Sequence, residues 1–360
     1  MAHAAAPGGA EDWRTDWRRS IAEVNVNTVC ELGRGGVSLT SMAERTLGRG
    51  GTVAAGAAYV FLHYALLVAY LSRAGDILGG ELGVPPAVST VGFMAALTSV
   101  CFFSSASRLD QVNAVLVAGV VGSFLFLLAL AAPGVDPGAL AKADWGAVPD
   151  ALPVVALAFV FHNVVPVIAS SLEGDTRKIR NAILLGTGVP FAMFAAWDGA
   201  ILGRSAELLD GRDGADLLML LAQTDPAVGP GIQAFSLLAI ATSYIGFVLG
   251  LTDFLADALR LPTGSKNAGV YALTVLPPTV FALWKPDVFI SAVDTAGTFG
   301  VLVLFGIVPA TMAWGERYTE GRTLATSRLV PGGRAALLAI GGLASAVIAR
   351  ETLQLVLPAS

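Results

Sequence analysis

The chain has 360 residues, 55% of them apolar and only 14% charged, with a formal net charge of −5. Soluble domains carry roughly 25% charged residues, and a mean hydropathy of +0.70 excludes a soluble globular enzyme. The composition predicts an all-α integral membrane protein, one bundle of many helices whose main partner is the lipid bilayer.

Residues 1–20 lack the apolar core of a signal peptide, and Glu11, Asp12 and Asp16 argue against a transit peptide, so they read as a polar leader. The run from Ser20 to Leu32 is interrupted by Glu23, Asn25 and Asn27 and is too short to span a bilayer. A glycine-rich segment with Arg34, Arg45 and Arg49 follows and predicts an interfacial loop with a short helix. Nine spans are then expected within a single transporter domain, 21–360: Thr52–Ser72, Ala87–Ser105, Gln111–Ala132, Ala151–Ser171, Asn181–Gly203, Gly231–Asp257, Ala268–Trp284, Val288–Trp314 and Arg334–Leu357. Arg350 and Glu351 interrupt the last, so its tail is placed along the interface.

Orientation follows from alternating the connections. Those at 31–51, 104–110, 172–180, 258–267 and 313–334 hold 13 Lys and Arg, against 5 in those at 73–86, 133–150, 203–230 and 285–287. The first set is therefore cytoplasmic or its topological equivalent.

The fourth span carries the main functional candidate. AFVFHNVVPVIASSLEGDTRKIR begins as an apolar helix, is interrupted by His162-Asn163 and Pro166, and ends in a loop with Arg177, Lys178 and Arg180. Pro166 has no N–H for residue 162, so backbone groups are freed where two polar side chains sit. Broken helices at the bilayer midplane hold solute in many secondary transporters, and a proline kink packed against neighbours is the other reading. His63 and His162 each lie eleven residues into their spans, about 16 Å deep in a core of about 30 Å. Two histidines at one depth suit proton coupling, and they also fit as satisfied core residues. In Gly231–Asp257, Gly246-x-x-x-Gly250 reads as a close-packing pattern. Asp253 needs a partner there, with Lys266 or Arg260 in reach, and it is the third candidate for proton coupling. Asp198 falls toward the opposite end of the membrane, which rules out an aspartyl-protease pair.

Enzyme motifs are missing. There is no Gly-rich phosphate loop, HExxH, GxSxG or paired CxxC, and the basic residues are not clustered as for nucleic acid. No cofactor is expected. Cys30 and Cys101 have no metal-ligand spacing, so no metal site is expected either.

FHNVVPVIASSLEGDTRKIRNAILLGTGVPFAMFAAWDGAILG resembles the tryptophan/tyrosine permease family of aromatic amino acid transporters, in which an FHN-x-x-P helix leads to a GD-x-x-K-x-R-x-A-I loop. IAEVNVNTVCELGRGGVSLTSMAERTLG, FLHYALLVAYLSRAGDIL and FVLGLTDFLADAL are similar to other segments of that family, and the likeness runs from about Ile21 to Trp314. The resemblance implies membership of the amino acid–polyamine–cation superfamily, a LeuT-type inverted-repeat fold, and amino acid uptake coupled to protons. It also implies that the backbone around Phe161, His162, Asn163 and Val164 holds the amino acid, with Phe161 offering an aromatic face; Tyr244, in the Gly231–Asp257 span, is a further candidate substrate contact. Asp198 stands where the family usually has Asn. The family's first helix has no counterpart here and its second is reduced to about Ser20–Leu32. Proton symport of tryptophan or tyrosine is therefore one expectation, and a non-transporting truncated paralogue that assembles with a membrane partner is the alternative. The membrane is expected to be a plasma membrane or a plastid envelope.

Overall fold

A computed structural model describes residues 39–141, 145–160, 165, 172, 175–204, 226–259, 261, 266–318 and 332–356. These residues form α1 (Leu39–Leu82), α2 (Pro86–Phe103), α3 (Ala106–Ala131), α4 (Val148–Ala158), α5 (Thr176–Gly203), α6 (Val228–Ala258), α7 (Ala268–Trp284), α8 (Phe289–Thr295), a π-helical segment (Ala296–Ile307), α9 (Val308–Tyr318) and α10 (Gly333–Val356). Among the described residues, seven helices are long and apolar enough to cross a membrane. The chain is a multi-pass integral membrane protein.

Of the nine expected spans, seven correspond to those long helices, while α4 and α7 are shorter apolar helices of 10–17 residues. Helix α7 has the predicted bounds, and Asn267 caps it by accepting from the N–H groups of Gly269 (2.9 Å) and Val270 (3.3 Å). Helix α4 ends at Ala158, before the predicted interruption at His162-Asn163, and beyond residue 160 only residue 165 of this expected span is among those described. The short helix expected before Thr52 is the first part of α1, set off by Gly48 at φ 69°. That left-handed value suits glycine, and Thr52 then bonds the Gly48 carbonyl at 3.1 Å.

The chain divides into two compact units. Unit 1 comprises residues up to Leu62, Leu152–Thr187 and Ala296–Ser360. In it the π-helical segment and α9 pack on α10, and Ala43, Ala55, Val308 and Met312 form a buried cluster. Small residues set the spacing. A methyl added at Gly306 would lie 2.8 Å from the Ala344 side chain, and one at Gly315 would lie 3.2 Å from the Thr46 carbonyl. The Arg334 guanidinium lies 4.7 Å over the Tyr318 ring, joining α10 to α9.

Unit 2 comprises His63–Ala151 and Gly188–Thr295, and α6 is its centre, touching α3, α7 and α2. Leu127, Ala131, Ala200, Ile201 and Val228 fill one end. The α1–α2 hairpin is held by turn chemistry and buried hydroxyls. Gly83, at φ 64°, ends α1 in a left-handed turn, and the Val84 N–H returns to the Gly79 carbonyl at 3.1 Å. Ser89 donates to the Gly75 carbonyl at 2.7 Å, and a side chain at Gly75 would collide with Thr90. Gly246 behaves otherwise: it is exposed with open space beside it, so the expected close packing at this glycine is not found.

Connections assigned to one side of the membrane meet inside unit 2. Asp136 N–H donates to the Gly203 carbonyl at 2.8 Å, joining 133–150 to 203–230. Lys266 Nζ donates to the Ser104 carbonyl at 2.5 Å, joining 258–267 to 104–110.

Candidate functional site

Helix α4 starts at Val148 and carries Pro153 internally. At its end the winding tightens: Phe159 N–H bonds the Ala156 carbonyl at 3.3 Å and Val160 N–H the Leu157 carbonyl at 3.2 Å, both i→i−3. Such turns finish a helix, and here they take up two carbonyls of its last turn. Phe161, His162, Asn163, Val164 and Pro166 lie outside the described residues.

The basic motif downstream is helical, not the expected loop. Arg177, Lys178 and Arg180 occupy the first turns of α5, where the helix dipole disfavours cations. Asp175 offsets this as the N-terminal cap. Its Oδ1 accepts from Arg177 N–H at 3.0 Å and Lys178 N–H at 3.1 Å, and its Oδ2 lies 3.7 Å from Lys178 Nζ. The Lys178 N–H foremost, then the Arg177 N–H and the Lys178 ammonium, hold the Asp175 carboxyl below its ordinary value. The Gly-Asp-Thr before α5 is the capping signal that could have marked this helix start.

His63 is buried at 2% exposure in unit 2. Its ring packs 4.8 Å from that of Phe247 on α6, and Tyr70, two turns along α1, packs 5.7 Å from the same ring. Tyr70 also interacts with Ser243, one turn before Phe247. Sequence reasoning missed Phe247, because only packing reveals which aromatic meets the histidine.

Tyr244 points to α2, against Phe93 at 5.5 Å. Its hydroxyl lies 2.9 Å from Thr98 Oγ1, and the residue is fully enclosed. The side chain is thus committed to joining α6 to α2.

Asp253 is exposed on α6, within electrostatic range of Asp257 and Tyr271. Lys266, an expected partner, is instead bonded to Ser104, and Arg260 lies outside the described residues. Asp198 is three residues from Ile201, which packs with Val228 at the far end of α6. Asp253 lies 25 residues beyond Val228, about 37 Å along the helix, so the two aspartates cannot share a proton.

Residues 19–349 match the tryptophan/tyrosine permease family. The chain is 28% identical over 330 residues to the tyrosine-specific transport system 2 of Haemophilus influenzae, covering 84% of this chain and 78% of that protein. It is 28% identical over 324 residues to the tryptophan-specific transport protein of Pseudomonas aeruginosa, covering 84% and 76%. The glutamine transporter 2 of Aliivibrio fischeri is 24% identical over 288 residues, covering 76% and 72%. A family match across nearly all of a multi-pass helical chain leaves no place for an enzyme: this protein belongs to the tryptophan/tyrosine permease family.

Proposed function

We propose that the protein carries aromatic amino acids across the membrane by proton symport and alternating access, in a LeuT-type architecture. The solute is held where α4 ends. The observation that carries this reading is the closing of α4 by two i→i−3 turns directly before Phe-His-Asn, in a chain matched to this family over residues 19–349.

The chemistry follows from that ending. The C-terminal end of α4 is the negative end of its helix dipole, so it suits the ammonium of an amino acid. Phe161 offers its ring to an aromatic side chain, and the backbone from His162 to Val164 supplies donors for the carboxylate. His162 can take up and release a proton near neutrality, because imidazole titrates at about 6.5 when unperturbed. His63 and Asp253 are further proton-coupling candidates. The tyrosine- and tryptophan-specific relatives support aromatic solutes. The glutamine relative makes glutamine the control.

Uptake of labelled tryptophan, tyrosine and glutamine into proteoliposomes under an inward proton gradient tests the proposal. Accumulation of an aromatic solute that collapses with a protonophore supports it, and His162→Ala should abolish the proton-driven part. Uptake of none of the three, or uptake indifferent to the gradient, overturns it.

A further inference from the structure

Basic residues at the start of a helix call for an anion nearby. At the start of α5, Asp175 supplies one to Arg177 and Lys178. The start of α10 has no such residue. Arg334 stands in its first turn with no acidic residue beside it, and the sequence holds none between Glu320 and Glu351. The helix dipole adds partial positive charge at the same place.

Arg334 is held by rings. Its guanidinium lies 4.7 Å over Tyr318 and 5.7 Å over Trp314, whose rings are 5.1 Å apart on α9. A guanidinium resting on aromatic faces keeps its N–H edge free, and that edge can form two parallel hydrogen bonds to a phosphate. Arg317, three residues beyond Trp314 and so its neighbour on the surface of α9, adds a second donor. Its Nη1 is buried without a hydrogen-bond partner. Neither arginine is paired with a carboxylate among the described residues.

Both arginines belong to unit 1 and to the connection 313–334, one of the Lys- and Arg-rich set assigned to the cytoplasmic side. Trp314, 36% exposed, and Tyr318 are the ring types that sit at headgroup depth. One turn further along α10, on the same strip as Arg334, Leu338 is 62% exposed, and Leu343 beyond it is 63% exposed. Phosphate-binding groups therefore stand at the end of an apolar helix surface, the order of parts in a phospholipid. A free phosphate would use only the first of them.

We propose that Arg317, Arg334 and the first turn of α10 form a site for the phosphate of an anionic phospholipid, whose acyl chains lie along Leu338. Two unpaired guanidiniums select a headgroup of net negative charge, because a zwitterionic headgroup brings its own cation to the same place. The site is independent of the transport reading.

The test follows melting of the purified 360-residue chain in a neutral detergent, titrated with phosphatidylglycerol, phosphatidylcholine or inorganic phosphate. Phosphatidylglycerol is expected to raise the melting temperature saturably, and the other two are expected to leave it unchanged. Arg317→Gln and Arg334→Gln should each raise the half-saturating concentration of phosphatidylglycerol about fivefold, and the double variant about thirtyfold. R334K keeps the charge but loses the fork, so it should fall between wild type and R334Q. R317Q leaves the Arg334 stack in place and tests the site even if R334Q melts too low to titrate. Arg177→Gln removes a basic residue on the same side that has a carboxylate at hand, and it should change nothing. An equal response to phosphatidylglycerol and phosphatidylcholine, or a loss in R177Q as large as in R317Q, overturns the site. Stabilisation by inorganic phosphate equal to that by phosphatidylglycerol overturns the lipid assignment.

Discussion

Tyr64 donates its hydroxyl to the carbonyl of Leu273 at 2.8 Å, and that carbonyl is the one Pro277 leaves without a helical N–H. A proline inside an apolar helix frees a polar group that lipid cannot serve. In unit 2 a side chain from α1 serves it. Tyr64→Phe should therefore lower stability by about 1 kcal/mol. Pro277→Ala restores an N–H at residue 277, so adding Y64F to P277A should cost much less. A double-mutant cycle of detergent melting measures the coupling. Strictly additive effects would show that the tyrosine does not stand in for the missing N–H.

Tyr244 gives a second test, because sequence reasoning placed it in the solute path and the structure engages it with Thr98 at 2.9 Å. Tyr244→Phe keeps the ring against Phe93 and removes the hydroxyl. The expected result is a stability loss of about 1 kcal/mol with KM for aromatic solute unchanged. A raised KM in protein of normal melting temperature would put Tyr244 in contact with the solute instead.

What the sequence revealed and what it withheld have physical causes. Helix α7 was legible to the residue because Asn267 marks its start and Lys285-Pro286 its end. The helix ends at Ala158, before His162, Asn163 and Pro166, the residues whose pattern predicts a break and which lie outside the described residues. The π-helical winding of AGTFGVLVLFGI was invisible, since an apolar run with two glycines reads equally well as an α-helix. Gly246 shows the reverse failure: a small-residue pattern permits close packing without ensuring it, and Gly246 faces open space. Pairings such as Tyr64 with Leu273 join residues 209 apart, and no local pattern encodes them.

Asp175 predicts a pH effect at the start of α5. Its carboxyl is held below the ordinary value of 3.8, chiefly by the Lys178 N–H. A group whose folded-state pKa is depressed contributes stability above its unfolded value and loses it as pH falls through the folded one. Protection of the Arg177 and Lys178 amides against hydrogen exchange, corrected for intrinsic rates, should accordingly decline only in acid below the ordinary aspartate range. Asp175→Asn retains a capping oxygen and should make that protection independent of pH. Asp175→Ala should remove it at every pH. Protection in the wild type that is flat with pH would show that the cap does not depend on the carboxylate.

His63 separates proton coupling from packing. The ring is buried at 2% exposure and packed at a tilt against Phe247 at 4.8 Å, so any substitution risks the contact as well as the proton. Two variants divide those roles. His63→Phe keeps an aromatic ring against Phe247, and His63→Gln keeps a polar side chain that cannot titrate near neutral pH. If the imidazole carries the coupled proton, both variants should lose accumulation driven by an inward proton gradient. Both should retain solute counterflow, which needs no net proton movement. Counterflow that falls in step with the melting temperature, and recovers in H63F but not in H63Q, would make His63 a packing residue and leave His162 and Asp253 as the candidates for the proton.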